Sequence, residues 1–575
     1  MRLSRLTAVV AMLIVTTAEA QETKFSWNHA TVYQLVTDRF SNGDSSNDSA
    51  YGRGLDGSGS PYALDSTGHF LGGDFAGLTG WIEDGYFTNL GINALWISAP
   101  YEQIHGWVGG GDGDFQEYAY HGFWPLDFTE VDRAFGTADD FSRLVDAAHE
   151  SGLRLIVDVN LSHVGPATMY DMSSFNFGGL SSDAWRSWKP ASKLGWQSYQ
   201  SEYVTFTDST EAWSRWWGPD WIRADITGYE PCGDSIPTVC EGALPDIRSD
   251  VEVGGLPYFL KLKWGADKVA SEEASLDAFF TRTSLNRTAA NHVVKWLSDW
   301  VRDYGIDGFR IANSESVDPA VMVAFRNEVT IALQEWKELN PEKALDDKKF
   351  WMAGEAGSMA SESSSRPDNE FDSVLNREFR QDDGADLQSL YSGYVSARES
   401  ATVNQLSFLS SDDTSLFDRS ELIAAGTRLL LSPGGVSVYY GDESARRAGR
   451  AVSDSTQRTR SQMNWASTDE AVLAHWQKVG SFRAAHPAIA RGGHDIVQDE
   501  PYTFYRGLQM GLDSDEVVIV VGASGKTRIN VSLVWPDDTV LRDAYTGSVA
   551  FVSFGQVTFT ADPSGLILME EVHID

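Results

Sequence analysis

A chain of 575 residues with a net charge of −37, from 45 basic and 82 acidic side chains, exceeds one ordinary domain and is mismatched to nucleic acid or an anionic membrane surface. Hydrophobic residues make up 42%, enough for a large core. The 20 Trp, 20 Tyr and 28 Phe mostly fill that core, and the surplus suits stacking on the apolar C–H faces of sugar rings, so a neutral partner is expected.

Arg2 and Arg5 precede an apolar run, Leu6–Val15, and Ala18-Glu19-Ala20 offers a small-x-small cleavage site. Residues 1–20 therefore read as an export signal and the mature protein as periplasmic or extracellular. No later run approaches the length needed to span a bilayer, so no membrane association is expected after cleavage.

From about residue 31 to 490, strand-like runs alternate with helical ones. The strands are Thr31–Thr37, Ala94–Ser98, Leu153–Val159, Gly308–Ile311, Phe350–Gly354, Gln405–Leu409 and Val436–Tyr440. Helical patterns include Asp139–Ser151, His292–Tyr304, Ala320–Leu339 and Glu421–Leu431. Such alternation predicts an α/β fold, a closed (β/α)₈ barrel over 21–164 and 256–491. Residues 165–255, rich in Trp, Ser, Gly and Asp, read as an irregular domain inserted on a βα loop. The two cysteines of the chain, Cys232 and Cys240, fall inside it, and an oxidising destination favours a local disulfide over metal or catalysis. Short strands over 492–575 (Glu516–Gly522, Ile529–Trp535, Val549–Phe554, Val557–Thr560 and Gly565–Met569) read as a β-sandwich.

Catalytic groups of such a barrel belong at the C-terminal ends of its strands. Asp158 and His163 follow one strand, Arg310 ends another, Glu355 follows Phe350–Gly354, and Asp412 and Asp413 follow Gln405–Leu409. An acid and a carboxylate converging from different strands is what glycoside hydrolysis requires. Taken singly, each of these could equally cap a helix or pair with a base.

Several long segments carry a resemblance: Asn93–Pro100, Glu102–Gly111, Tyr118–Trp124, Leu244–Ile247, Trp300–Arg310, Phe350–Ala356 and Val438–Glu443. Together they resemble the α-amylase family of glycoside hydrolases (family 13), in particular the periplasmic α-amylases of Gram-negative bacteria. The resemblance implies retaining hydrolysis of α-1,4-glucans such as starch and maltodextrin. It assigns the acid/base to Glu355, the second, sugar-gripping carboxylate to Asp413, and the arginine beside the nucleophile to Arg310. It makes His163 a sugar-binding histidine and His121, Phe123 and Trp124 the edge of the sugar platform, with Phe123 where the family has a stacking Tyr.

At the nucleophile the resemblance fails. The family pattern Gly-Phe-Arg-x-Asp-x-x-Lys-His reads here as Gly308-Phe309-Arg310-Ile311-Ala312-Asn313-Ser314-Glu315-Ser316. The sugar-binding His before the second carboxylate is Asp412, and the Trp after the acid/base segment is Gly357. Alanine offers no oxygen to the anomeric carbon, and Arg310 is expected to lose its anionic neighbour. Calcium is expected at the loop after the first strand, from Asn42, Asp44, Asn47, Asp48, Gly72 and Asp74. A second family site is expected to be weak, since Ser162 and Ser316 replace its Asn and His and leave Asp246. Three readings remain open: a catalytically impaired, glucan-recognising monomer; an active hydrolase using Glu355 and Asp413 with rewired chemistry; and a non-catalytic scaffold for a partner.

Overall fold

A computed structural model describes residues 25–53, 67–175, 215–225, 228–240, 244–354, 371–381, 386–400, 403–451, 453–511 and 513–572. The export signal, Glu355 and Gly357 lie outside the described residues.

Eight parallel strands close into a barrel in simple chain order. They are β1 (Thr31–Leu35), β2 (Ala94–Ile97), β3 (Arg154–Asn160), β4 (Gly308–Ala312), β5 (Trp351–Gly354), β6 (Ser373–Asn376), β7 (Asn404–Phe408) and β8 (Gly435–Tyr439). Closure comes from β8 lying beside β1, with Thr31 opposite Val436. Strands such as β3 are buried along their whole length, as expected when helices cover one face and barrel side chains fill the other. One strand, β6, was not among those the sequence suggested. It is four residues long, and its Ser and Asn ends hide the apolar pair between them.

Amphipathic helices wrap the outside. Ala138–Glu150 begins with a capping box, in which Thr137 and Asp140 satisfy each other's backbone N–H, and it buries Phe141, Leu144 and Val145. Ala289–Tyr304 ends at Gly305, whose φ of 77° stops the helix without a Cβ clash. The helix Tyr258–Thr283, bent at Gly265, was not anticipated, because its few buried residues give little periodicity.

The described part of the inserted stretch is held by aromatic stacking. The Trp216 ring lies 4.5 Å from Phe259 at 14°, and Trp221 lies 5.7 Å from Trp296 at 12°. Cys232 and Cys240 form a disulfide.

Beyond the barrel lie β9 (Asp495–Gln498), β10 (Tyr502–Met510), β11 (Asp513–Val521), β12 (Lys526–Asn530), β13 (Val540–Asp543), β14 (Val549–Phe551), β15 (Gln556–Thr560) and β16 (Ile567–Glu571). Six of them form one antiparallel sheet in the order β9-β10-β11-β16-β13-β14, while β12 pairs with β15, which is the strand-rich sandwich expected. The run read as one strand over Ile529–Trp535 stops at Asn530 and turns. Between barrel and sheets, His486 Nδ1 meets Asp515 at 2.7 Å and Nε2 meets Glu570 at 2.6 Å.

Candidate active site

The described strand ends bring Asp158, Arg310, Asp412 and Arg460 into one charged cluster. Ala312 is the last residue of β4, opposite Asn160 of β3, and is 4% exposed. The next residue, Asn313, turns the chain in the left-handed region at φ 48°, and the short helix Ser314–Ser316 follows. Glu315 in that turn is exposed.

Arg310 does not lack an anionic neighbour, contrary to the expectation. It stands directly opposite Asp158 in the β3–β4 register, and its Nη1 approaches Asp158 Oδ1 at 3.2 Å. Parallel register puts both side chains on the same face of the sheet, so the pair follows from the strands themselves. Burial drives the Asp158 carboxyl up to about 7, with Arg310 pulling it down and Asp412 pushing it up.

The β7 end is equally committed. Asp412 is buried, accepts from Gln34 Nε2 at 3.0 Å and faces Arg460 Nη2 at 3.5 Å. Its carbonyl accepts the Thr459 hydroxyl at 2.8 Å. Asp413 is about a third exposed, with Oδ2 accepting from Arg377 at 2.5 Å and Oδ1 taking the Ser411 hydroxyl. Burial alone would raise its carboxyl; the Ser411 hydrogen bond and the Arg377 charge outweigh this and hold it below the usual range.

His163 is buried with both ring nitrogens occupied, Nε2 by the Phe123 carbonyl at 3.0 Å and Nδ1 by the Ser162 hydroxyl at 3.0 Å. Burial lowers it to about 4, so the ring is neutral at pH 7. His121 is likewise buried, and burial with the Arg460 and Arg39 charges pushes its pKa well below the ordinary imidazole value. Its ring stacks on Phe123 at 5.4 Å and meets Trp124 edge-on at 4.6 Å. Phe123 and Trp124 are half-buried, which leaves part of each ring for a ligand. Arg310 and Arg460 flank Phe123, their guanidinium carbons 5.8 and 5.9 Å from its centroid. Next to Arg460 a cavity of about 390 Å³ opens, lined by Arg39, Leu71, Gln457 and Met463 among others. Gln34, Arg377 and Arg460 were missed from sequence. Gln34 lies beside Tyr33 on β1, Arg377 follows the strand that was not seen, and Arg460 sits in no recognisable pattern.

The calcium residues divide into two groups. In the loop after β1, Asp74 is buried and spends its carboxylate on the backbone N–H groups of Gly43, Asp44 and Gly77 at 2.7–2.9 Å, as N-cap of the helix Phe75–Glu83. Asn42 Nδ2 donates to Asp48 at 2.7 Å across Gly72, where a Cβ would come within 2.5 Å of that amide. Burial, with the neighbouring charges of Asp74 and Asp44, raises Asp48. Asn47 Oδ1 is buried and accepts no hydrogen bond, so the loop holds an unused oxygen among carboxylates, which fits a hard cation. Among the described residues no three His, Cys, Asp or Glu side chains form a group that could hold a metal ion. At the second site, Asp246 is buried against Arg223 at 3.2 Å, and Ser162 turns its hydroxyl to Asn160 and His163. A guanidinium in place of a cation fits this site poorly to calcium.

A family model described as "Alpha amylase, catalytic domain" matches residues 34–219. The periplasmic α-amylase of Escherichia coli (strain K12) is 41% identical over 519 residues, 87% of this chain and 72% of that protein. The chain belongs to the α-amylase family. Among solved structures, an Anoxybacillus α-amylase aligns with a TM-score of 0.58 at 18% identity, covering 96% of this chain and 99% of that one. The α-amylase of Geobacillus thermoleovorans, solved with acarbose, aligns with a TM-score of 0.58 at 17% identity over 96% of this chain and 99% of its own. These two show the shared fold. No described helix of this α-amylase family member is long and apolar enough to cross a membrane.

Proposed function

We propose that this chain is an exported α-amylase-like protein that recognises α-1,4-glucans but whose hydrolase activity is lost or greatly reduced. The observation that carries the reading is Ala312 at the end of β4, in the place the family gives to its nucleophile. The surrounding charges support it, because among the described residues the three aspartates at these strand ends are already engaged. Asp158 belongs to Arg310, Asp412 to Gln34 and Arg460, and Asp413 to Arg377 and Ser411.

In this reading a glucan ring lies on the exposed parts of Phe123 and Trp124, with Asp413 at its hydroxyls. Glu355, outside the described residues, remains able to protonate a leaving oxygen, but no oxygen is present at Ala312 to attack the anomeric carbon. Loss of a nucleophile costs several orders of magnitude in kcat, about 1.4 kcal/mol of barrier for each factor of ten. An inverting route would need Asp413 as general base, and a carboxylate held low by the Ser411 hydrogen bond and the Arg377 charge is a poor one. Calcium forms part of the proposal: Asp44, Asp48 and Asn47 would hold it in the loop after β1, where it supplies charge neutralisation and rigidity.

Export is inferred from residues 1–20 and agrees with the periplasmic naming of the E. coli relative. The test pairs calorimetry with maltoheptaose and reducing-sugar release from starch. Binding without turnover is the expected result. Ordinary amylase turnover would overturn the reading, and the absence of any binding at millimolar maltoheptaose would favour the scaffold.

A further inference from the structure

Two neighbouring turns of the C-terminal sheets hold large apolar side chains out in water. The tight turn that leads from β14 in one sheet to β15 in the other reverses through Phe554 and Gly555, both at positive φ, 52° and 67°. Ser553 and Gln556 close it by exchanging backbone hydrogen bonds at 2.8 and 3.1 Å. Two central residues at positive φ suit Asn, Asp or Gly, and a phenylalanine there is strained. The fold gives no packing in return, since Phe554 is 93% exposed. The turn Val531–Trp535 abuts it: Val531 N–H donates to the Gly555 carbonyl at 2.9 Å, and a Cβ on Gly555 would lie 2.6 Å from that of Ser532. That turn presents Leu533, 98% exposed. Phe551 is exposed on the adjoining edge strand β14.

We propose that this tip is a second glucan contact, in which Phe554 and Phe551 lie against the apolar faces of consecutive pyranose rings. Strain without internal packing points to a partner outside the chain. The patch is two rings, Leu533 and Val549, well short of the roughly 800 Å² per partner that a stable dimer buries. Asp537 and Asp538 are exposed beside it, and with the net charge of −37 they disfavour phosphate-bearing lipid or nucleic acid. A neutral, hydroxyl-rich chain with apolar faces is the ligand class left, and the exposed Ser532, Ser553 and Gln556 offer hydroxyl partners around the rings. The inference rests on the α-glucan reading above but uses a separate surface.

The full-length chain, Phe554→Asn, and Phe551→Ser/Phe554→Asn are compared for retention on insoluble starch granules and for maltoheptaose binding by calorimetry. Asn is at home at positive φ, so Phe554→Asn keeps the fold and melts no lower than the parent. The expected result is granule affinity about fivefold weaker for the single variant and roughly tenfold for the double, with maltoheptaose binding unchanged. Retention that Phe554 controls, in a chain whose barrel binds no maltoheptaose, upholds this surface while refuting the barrel reading. Unchanged granule retention overturns the proposal, as does a parent chain that ignores starch. Phe554-dependent dimerisation in sedimentation, or flotation with phosphatidylcholine vesicles, overturns it in favour of another partner.

Discussion

At position 312 the family pattern has a carboxylate and this chain has Ala312, and introducing one tests how far the rest of the pocket is organised for catalysis. Ala312→Asp would place a carboxylate beside Arg310, which already serves Asp158, with Asp413 still bound to Arg377. Starch hydrolysis is expected to rise by less than about a hundredfold and to stay orders of magnitude short of ordinary turnover, as read by reducing-sugar release. Arg377→Gln tests the other clamp. Releasing Asp413 should tighten maltoheptaose binding several-fold in calorimetry, while stability changes by less than about 1 kcal/mol because the ion pair is roughly a third exposed. The placement of Ala312 at the end of a barrel strand was legible in the sequence because it lies in the recognisable run Gly308–Ser316. The Asp158–Arg310 pair was not anticipated, because it follows from the register of β3 against β4 and not from anything local to either residue. Nor was Arg377, since its strand carries only two apolar residues, and nothing local ties Arg460 to Asp412.

Among the elements, the loop after β1 and the helix it feeds depend on one carboxylate. Asp74 takes backbone N–H groups from Gly43, Asp44 and Gly77 while nearly fully buried. Asp74→Ala removes a helix cap and leaves buried donors unpaired, so a loss of about 2–4 kcal/mol is expected in denaturant unfolding. If calcium binds the same loop, a concentration a hundred times its Kd adds about 2.7 kcal/mol, and chelation should lower the Tm of the parent. A Tm indifferent to chelator would remove calcium from the proposal. Alternation of strand and helix revealed most barrel elements because burial on both strand faces leaves long apolar runs. The helix Tyr258–Thr283 escaped notice because only Phe259, Leu260, Leu276, Phe279 and Phe280 of it are buried.

Over the whole molecule, barrel and C-terminal sheets share an ionic clasp, His486 between Asp515 and Glu570. Burial opposes its charge, but the two carboxylates prevail and raise the imidazole to about 9. Its contribution is therefore complete below the unfolded value near 6.5 and disappears as pH rises through 9. The clasp should contribute on the order of 2 kcal/mol at pH 6, so the Tm gap between the parent and His486→Gln should be widest near pH 6 and close by pH 10. A gap constant across that range would show that His486 acts by shape alone. The barrel seam has a consequence for how the protein comes into being. Because Thr31 pairs with Val436, the first strand waits for the last while nearly all of the barrel is synthesised. Closure therefore depends on a contact between distant parts of the chain, which predicts slow folding and a long interval in which unpaired edges are open to chaperones and proteases.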